Sequence, residues 1–461
     1  MNNSQQYDAL IIGSGQAGTP LSTTLAKAGW QTALIEREHV GGTCINEGCT
    51  PTKTMIASGR VAYLTRRSAD YGVHADAVRI DLQKVRERKR NIVNSFRNGS
   101  QASIEKTANL DLIFGEVQFT GPKSVRVRMN DGTERTVFAS HIFINTGTRA
   151  SRPKLEGLES IPSLDNVSIM ELDAVPKHLL VLGGGYIGVE FGQLFRRFGS
   201  DVTIVHTRDQ LLAREDPDVA QELEKILRQD GIDIFLNATA KRVSKAGEII
   251  RLEYEQQGFA KTVSGSHLLV ATGRVPNSDV LNLSAAGIET DPRGFIKVND
   301  RLETTAEGIY ALGDVKGGPA FTHISYDDFR IVRANLLEKE PRTIANRLIP
   351  YVLFTDPQLG RIGMTEIEAR REHRSIYVAK LPMDYVARAL EVDESRGFIK
   401  AVVDSDTKQI LGAAVLGIEG GETMAVLEVA MMGRLPCTTL RDAIFAHPTL
   451  AEALNNLFDT D

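Results

Sequence analysis

A chain of 461 residues is too long for one hydrophobic core and has the length of about three domains. Its 54 Lys and Arg against 59 Asp and Glu leave a formal charge of -5, which gives no basis for nucleic-acid binding. Three cysteines do not make a secreted disulfide framework, the polar start to Tyr7 has no signal-peptide core, and no 18-residue apolar run follows, so the chain reads as soluble and cytoplasmic, with no membrane partner.

The first element is the apolar run Ala9-Leu10-Ile11-Ile12, followed by Gly13, Gly15 and Gly18 in GxGxxG spacing. Residues 20–28 read as a helix closing at Gly29, and a second strand, Thr32 to Ile35, ends in Glu36. The set belongs together chemically. Glycines let backbone approach a pyrophosphate, the helix N-terminus offers amides and positive potential, and the acid binds a ribose diol. A tight structural turn explains the glycines alone, but not the strand, helix and acid at that spacing.

Residues 41–53 follow, Gly-Gly-Thr-Cys-Ile-Asn-Glu-Gly-Cys-Thr-Pro-Thr-Lys. Cys44 and Cys49 stand five apart, with Pro51 and Lys53 close behind. In an ideal helix such a pair has Cα atoms about 8–9 Å apart, whereas a disulfide needs about 4.4–6.8 Å. If the two bond, the helix must be distorted, and Thr50-Pro51 supplies a reason. Two buried structural thiols on a loop are the plainer reading, but the glycines, proline and lysine form one pattern with them.

Residues 79–107 read as one long helix, with Leu82, Val85, Ile92, Val93 and Phe96 as a buried stripe and Lys84, Arg86, Arg88, Lys89 and Arg90 as a solvated face. Strands Leu112–Phe119 and Ser124–Met129 follow, and the segment closes on His141–Gly147. At Leu179 the plan repeats: Leu179–Leu182, then Gly183, Gly185 and Gly188, a helix through Phe198 and a strand, Asp201–Val205. The expected ribose acid is replaced by His206, with Arg208 two residues on. Two such units call for two dinucleotides, one held and one exchanging. His206 and Arg208 in place of the acid remove repulsion from a 2′-phosphate and add donors, which favours NADPH while leaving NADH open. An ordinary solvated His and Arg at a strand end is the alternative.

With these motifs, Ala271-Thr272-Gly273-Arg274-Val275-Pro276-Asn277, Ala311-Leu312-Gly313-Asp314 and His447-Pro448-Thr449-Leu450-Ala451-Glu452, the chain resembles the class I pyridine nucleotide–disulfide oxidoreductases over almost its whole length. The resemblance implies an α/β chain with two Rossmann-like dinucleotide-binding domains, for FAD and NAD(P)H, plus an α+β C-terminal dimerisation domain. Residues 1–150 would bind FAD, 151–275 NAD(P)H, 276–345 would form a central domain completing the FAD site, and 346–461 the dimer interface. Strands are expected near 396–404 and 410–417, and helices near 421–433 and 438–457.

The resemblance also assigns roles. Cys49 would exchange electrons with the flavin and Cys44 would attack the substrate, as a redox-active disulfide. Lys53 would sit beside the reactive flavin nitrogen, paired with Glu190, lowering the thiol pKa. Asp314 would bind the ribityl chain and Tyr186 would gate the nicotinamide pocket. Gly42, Thr43, Thr146, Gly147, Ile187, Gly273 and Arg274 would join the glycines in contacting cofactor. His447 from the partner subunit of a homodimer, oriented by Glu452, would be the acid–base.

Pro382–Ala389, Arg214–Pro217 and Phe321–Val332 resemble the mercuric-reductase-like branch, closest to its reactive-chlorine-resistance copper(II) reductases. Authentic mercuric reductases end in a vicinal Cys-Cys pair, and many start with a metal-binding domain; this sequence reads as having neither feature. The implied activity passes electrons from NAD(P)H through FAD and the dithiol to a metal ion, copper(II) or mercury(II), held transiently by Cys44 and Cys49, with no permanent metal. A low-molecular-weight disulfide, as in glutathione reductase or dihydrolipoamide dehydrogenase, is the second acceptor class. A flavin-bound redox sensor without turnover is a third possibility. Cys437, in an apolar setting, reads as structural.

Overall fold

Ala9 to Ile12 are buried on both faces of their strand, which a parallel sheet covered on both sides requires. The computed structural model describes residues 4–459, so Met1–Asn3 and Thr460–Asp461, the ends of the first and last expected domains, lie outside the described residues. The chain forms two compact units, the first built from Met1–Met55, Gln83–Ser151 and Gly273–Arg347. In it β1 (Ser4–Ile12) pairs in parallel with β2 (Thr32–Glu36) and β5 (Glu134–Ile144). β3 (Leu110–Gly121) lies parallel to β2, β15 (Ile309–Ala311) lies parallel to β5, and β4 (Ser124–Met129) joins β3 to β5 as an antiparallel meander. The helix α1 (Gly18–Lys27) packs one face through Leu21 and Leu25, and the other face packs on Leu281, Ile288 and Ile296. Each fully buried aliphatic side chain contributes roughly 1.5–3 kcal/mol. A short antiparallel pair, β6 (Thr148–Ala150) with β14 (Arg274–Pro276), and α7 (Thr322–Arg333) complete the unit.

The second unit comprises Ile56–Leu82, Arg152–Thr272 and Leu348–Asp461. Its parallel sheet runs β13 (His267–Val270), β7 (His178–Leu182), β8 (Asp201–Val205), β9 (Ile232–Phe235), with α5 (Tyr186–Phe198) and α6 (Pro217–Gln229) as crossovers. An antiparallel sheet of β10 (Ala238–Ala246), β11 (Ile249–Gln256) and β12 (Phe259–Gly265) accompanies it. The C-terminal sheet orders β16 (Tyr351–Leu353), β17 (Gln358–Gly363), β20 (Ile410–Gly417), β19 (Phe398–Asp404) and β18 (Ile376–Pro382), with α10 (Gly420–Met432) against it. Short helices α8 (Glu366–Arg371) and α9 (Ala387–Glu391) fall in sequence between β17 and β18 and between β18 and β19. No helix among the described residues is long and apolar enough to cross a membrane.

Three expectations are corrected. The helix expected over 438–457 is two short ones, α11 (Cys437–Arg441) and α12 (Ala453–Phe458), because Pro448 has no amide hydrogen to continue a helix. The basic helix, α4 (Leu82–Glu105), buries Lys89 to 3% exposure and leaves Phe96 53% exposed. Its inward stripe follows 82, 85, 89 and 93, and a lysine stem fills that line where aliphatic carbon suffices. The distortion around the cysteines lies at Glu47-Gly48, between α2 (Gly42–Asn46) and α3 (Cys49–Arg66), and not at Pro51. Pro51 sits in the first turn of α3, where a missing amide costs little. A Cβ on Gly48 would lie 2.8 Å from the Thr43 carbonyl oxygen, so glycine permits the break.

A Cβ on Gly18 would lie 2.1 Å from the carbonyl oxygen of Gly13, while Gly99 in α4 has nothing within 4 Å. Gly18→Ala should lower the Tm, since overpacking costs about 1–3 kcal/mol. Gly99→Ala should raise stability by roughly 0.5–1 kcal/mol. Thermal unfolding of both variants checks the pair, and an unshifted Gly18→Ala would contradict the packing described.

Candidate active site

At the carboxyl end of β1, a Cβ on Gly13 or Gly15 would lie 2.5 or 2.6 Å from Asn145 oxygens. The Oδ1 of Asn145 accepts from the Gly18 amide at 2.9 Å, its Nδ2 donates to Leu312 O at 2.9 Å, and its own amide donates to Ile12 O at 2.8 Å. Glu36 at the end of β2 accepts from the Ser14 amide (3.0 Å), the Ser14 hydroxyl (2.6 Å) and the Glu38 amide (3.0 Å), which fixes its carboxylate at the rim of the loop. Gly42 abuts the same loop, where a Cβ would lie 2.8 Å from Gly15 Cα. A backbone stripped of side chains beside an oriented acid fits a dinucleotide.

Asp314 lies in a 3-10 turn, Gly313–Lys316. The Thr148 hydroxyl donates to Asp314 Oδ2 at 3.1 Å and accepts from Arg274 Nε at 2.8 Å. Burial pushes the Asp314 carboxyl up, opposed by Arg274, Thr148 and Lys316. The turn is held from below by Asp328, whose side chain is 0% exposed. Asp328 accepts from the Gly313 amide (2.8 Å) and pairs with Lys316 (3.2 Å) and Arg347 (2.8 Å). Thr146 and Gly147 bond Asn277: the Thr146 hydroxyl donates to Asn277 O at 3.1 Å, and the Asn277 amide donates to Gly147 O at 3.0 Å. Gly273 accepts from the Ser151 amide at 2.9 Å.

Cys44, on α2, is half-buried and Cys49, at the start of α3, is exposed, and the two thiols are hydrogen-bonded to each other. The break at Gly48 is what turns α2 and α3 so that the two meet. Cys49 Sγ lies 3.3 Å from the Thr322 hydroxyl at the first residue of α7. The Cys44 thiol is held above its ordinary range, first by the bond to Cys49, then by burial and by the charge of Cys49; the Thr322 hydroxyl and Lys53 pull it down. The α2 helix itself is tied by Asn46, which donates to Val40 O (3.1 Å) and Gly42 O (3.0 Å) and accepts from Arg97 of α4 at 2.8 Å.

In the second unit the glycine loop closes as the first does, with a Cβ on Gly188 falling 2.1 Å from Gly183 O. Gly185 is open, and Ile187 is half-buried. His206 Nδ1 accepts from the Gly184 amide at 3.1 Å, so that nitrogen is unprotonated and the other carries the hydrogen. The buried Nε2 finds no hydrogen-bond partner among the described residues, and burial pulls the imidazole below the usual histidine range. The ring is therefore neutral at pH 7, and Arg208 is exposed. Glu190, buried on α5, accepts from the Phe354 amide at 2.9 Å. His447 Nδ1 lies 2.9 Å from Glu452, and its side chain is 67% exposed. Cys437 is buried with Tyr377 as its partner at 3.1 Å.

The site therefore includes residues that sequence reasoning did not assign: Asn145, Thr148, Thr322 and Asp328. Asn145 carried a local signal, at the end of a strand already expected to close the first dinucleotide unit, and Thr322 and Asp328 lay in the Phe321–Val332 stretch without an assigned role.

Two family models match the chain, one described as pyridine nucleotide-disulphide oxidoreductase over residues 7–328, the other as the dimerisation domain of the same family over 349–458. A probable pyridine nucleotide-disulfide oxidoreductase, RclA of Escherichia coli, is 41% identical over 98% of this chain and 99% of its own length. A mercuric reductase of Lysinibacillus sphaericus is 35% identical, over 98% of this chain and 82% of its own. A solved copper(II) complex of the HOCl-induced flavoprotein disulfide reductase RclA superposes with a TM-score of 0.91 at 39% identity, covering 98% of this chain and 99% of that one.

Removing the Thr322 hydroxyl removes a group that lowers the Cys44 pKa, so less thiolate remains at a given pH. Thr322→Val should slow alkylation of the reduced pair by iodoacetamide at pH 8 by roughly ten-fold, the scale of one hydrogen bond to a charged group. Its alkylation profile should also move to higher pH. An unchanged profile would remove Thr322 from the thiol machinery.

Proposed function

The chain belongs to the pyridine nucleotide-disulphide oxidoreductase family, an FAD-dependent family that uses pyridine nucleotides, and from that premise we propose that it oxidises NADPH and delivers the electrons through Cys44 and Cys49 to copper(II) or mercury(II). The observation that carries this reading is the thiol pair itself, Cys44 and Cys49 hydrogen-bonded to each other beside the Thr322 hydroxyl. When bound, FAD would relay electrons from reduced nicotinamide to the thiols. Gly13, Gly15, Gly18, Glu36, Gly42, Thr43, Thr146, Gly147 and Asp314 would hold it.

Thiolates are soft ligands suited to copper and mercury. As the metal leaves, the two metal–sulfur bonds break, one S–S bond forms and two electrons depart. Two copper(II) ions take one each, or one mercury(II) takes both. Cys44 and Cys49, side by side, would be the ligands of a passing ion. Similarity to a mercuric reductase and to a copper(II) complex supports the same acceptor class. One observation favours a small disulfide as the second reading. Glu452 orients His447 through Nδ1, leaving Nε2 to protonate a leaving thiolate. In that reading the partner subunit's His447 serves a homodimeric site. A dithiol of this kind fits a reducing compartment, the cytoplasm.

NADPH preference falls to Arg208, because the neutral His206 contributes no charge. A charge-assisted contact to a 2′-phosphate is worth about 1.5–3 kcal/mol, or roughly ten- to a hundred-fold. Arg208→Ala should lose that factor in kcat/KM for NADPH and little for NADH. An enzyme that already prefers NADH would overturn the assignment.

His447→Ala separates the acceptors. Reduction of a disulfide needs an acid worth typically 10²–10⁴-fold, whereas a metal leaving thiolate ligands needs none. NADPH oxidation should therefore survive with copper(II) and collapse with the best disulfide, once dimerisation of the variant is checked. Equal collapse with copper would rule out the metal reading, and no turnover with any acceptor would leave the sensor.

A further inference from the structure

Tyr186 is the first residue of α5, half-buried, with the open Gly185 before it. Its hydroxyl does not face solvent alone. It donates to Glu215 Oε1 at 3.4 Å and accepts a share of the single hydrogen on the Tyr351 hydroxyl. Tyr351, at the start of β16, also donates to the same carboxylate oxygen, and the two rings tilt against each other with centroids 5.7 Å apart. The Glu215 side chain is 0% exposed and its other oxygen lies 3.3 Å from Arg361 Nε. Arg361 is in turn fixed on β17, where Nη1 donates to Ile362 O at 2.7 Å and to Ala413 O at 3.1 Å. The residue just past the other end of β16 reaches α5 a second time, one turn on, through the bond from the Phe354 amide to Glu190.

We propose that Tyr351 and Glu215 form a latch on Tyr186, holding its ring in the closed position over the nicotinamide pocket and thereby setting the cost of nucleotide entry. The proposal rests on the gate role given to Tyr186 above. Glu215 is the fixed side of the latch. When the ring swings away, the carboxylate keeps Tyr351 and Arg361, so no buried charge is stranded. The moving side gives up one long bond to the carboxylate and one to a phenol. Such a latch is weak enough to be released by a binding nucleotide, yet it lowers the population competent to bind, and apparent affinity falls in proportion. Tyr351 and Glu215 are positioning residues; neither needs to touch the nucleotide.

The test measures the dissociation constant of NADP+ on oxidised holoenzyme by isothermal titration calorimetry, in a double-mutant cycle. Tyr186→Phe keeps the ring and frees it, and should tighten binding by roughly three- to ten-fold, the range of one or two hydrogen bonds. Tyr351→Phe should tighten it by about two- to four-fold in the parent and not at all in the Tyr186→Phe background, since its action runs through that hydroxyl. An equal effect of Tyr351→Phe in both backgrounds, or none in the parent, overturns the latch. Tyr186→Ala distinguishes the two levels. If it leaves NADP+ binding at the parent value, the gate role itself is wrong. If it alters binding while the cycle shows no coupling, only the latch is wrong. Should Tyr351→Phe not fold, Glu215→Gln completes the same cycle.

Discussion

One amide side chain, that of Asn145, occupies the point where the glycine loop, α1 and the Gly313–Lys316 turn of the first unit converge. Its oxygen takes the Gly18 amide at the start of α1, its nitrogen reaches Leu312 beside the Gly313–Lys316 turn, and its backbone is registered to β1. A buried amide with both ends satisfied tolerates almost no displacement, because either loss strands a polar group at about 1–3 kcal/mol. The glycines next to it are required by this closeness. They leave space for the Asn145 carbonyl and amide oxygens as well as for any pyrophosphate. The position of Asp314 then follows from the far side, through Asp328 and its two cations.

The thiol pair obeys a different logic. Its two cysteines are local in sequence, but what tunes them is not: Thr322 lies on another helix, and Arg97 ties the loop from a third. A short helix and a long one with a glycine break between them give the thiols their meeting point, and a hydroxyl at the first turn of α7 adds a donor where that helix also presents positive potential. The chemistry thus depends on segments that need only be brought together, not be near one another along the chain.

This division explains what could be read beforehand. Glycine loops, strand-end acids and the cysteine spacing encode backbone geometry within a few residues, so their pattern survives in one dimension. The long helix of residues 82–105 was legible for the same reason, while the choice between Phe96 and Lys89 as the inward residue was not, since it depends on the surface the helix meets. Glu215, Thr322 and Asp328 fall in stretches whose resemblance was legible, but their contacts, like those of Tyr351, join distant segments and could not be read from either one. His206 marks the opposite case. Its position was legible, but its ring turns inward to the Gly184 amide, and only three dimensions reveal which nitrogen is engaged.

The pairing of β15 with β5 has a consequence for how the chain is made. Ile142, Phe143 and Ile144 complete their edge only when Ile309, Tyr310 and Ala311 arrive, and Asn145 gains its acceptor on Leu312 only 167 residues after itself. At a synthesis rate of about 5–20 residues per second, the ribosome takes roughly 8–33 seconds to supply them. Throughout that interval a nascent chain carries an apolar strand with an open edge, the kind of surface that pairs with whatever strand is nearest. The first unit is thus encoded first and finished late, and its dependence on folding helpers should exceed that of the C-terminal sheet, whose five strands are made within one uninterrupted stretch, from Tyr351 to Gly417.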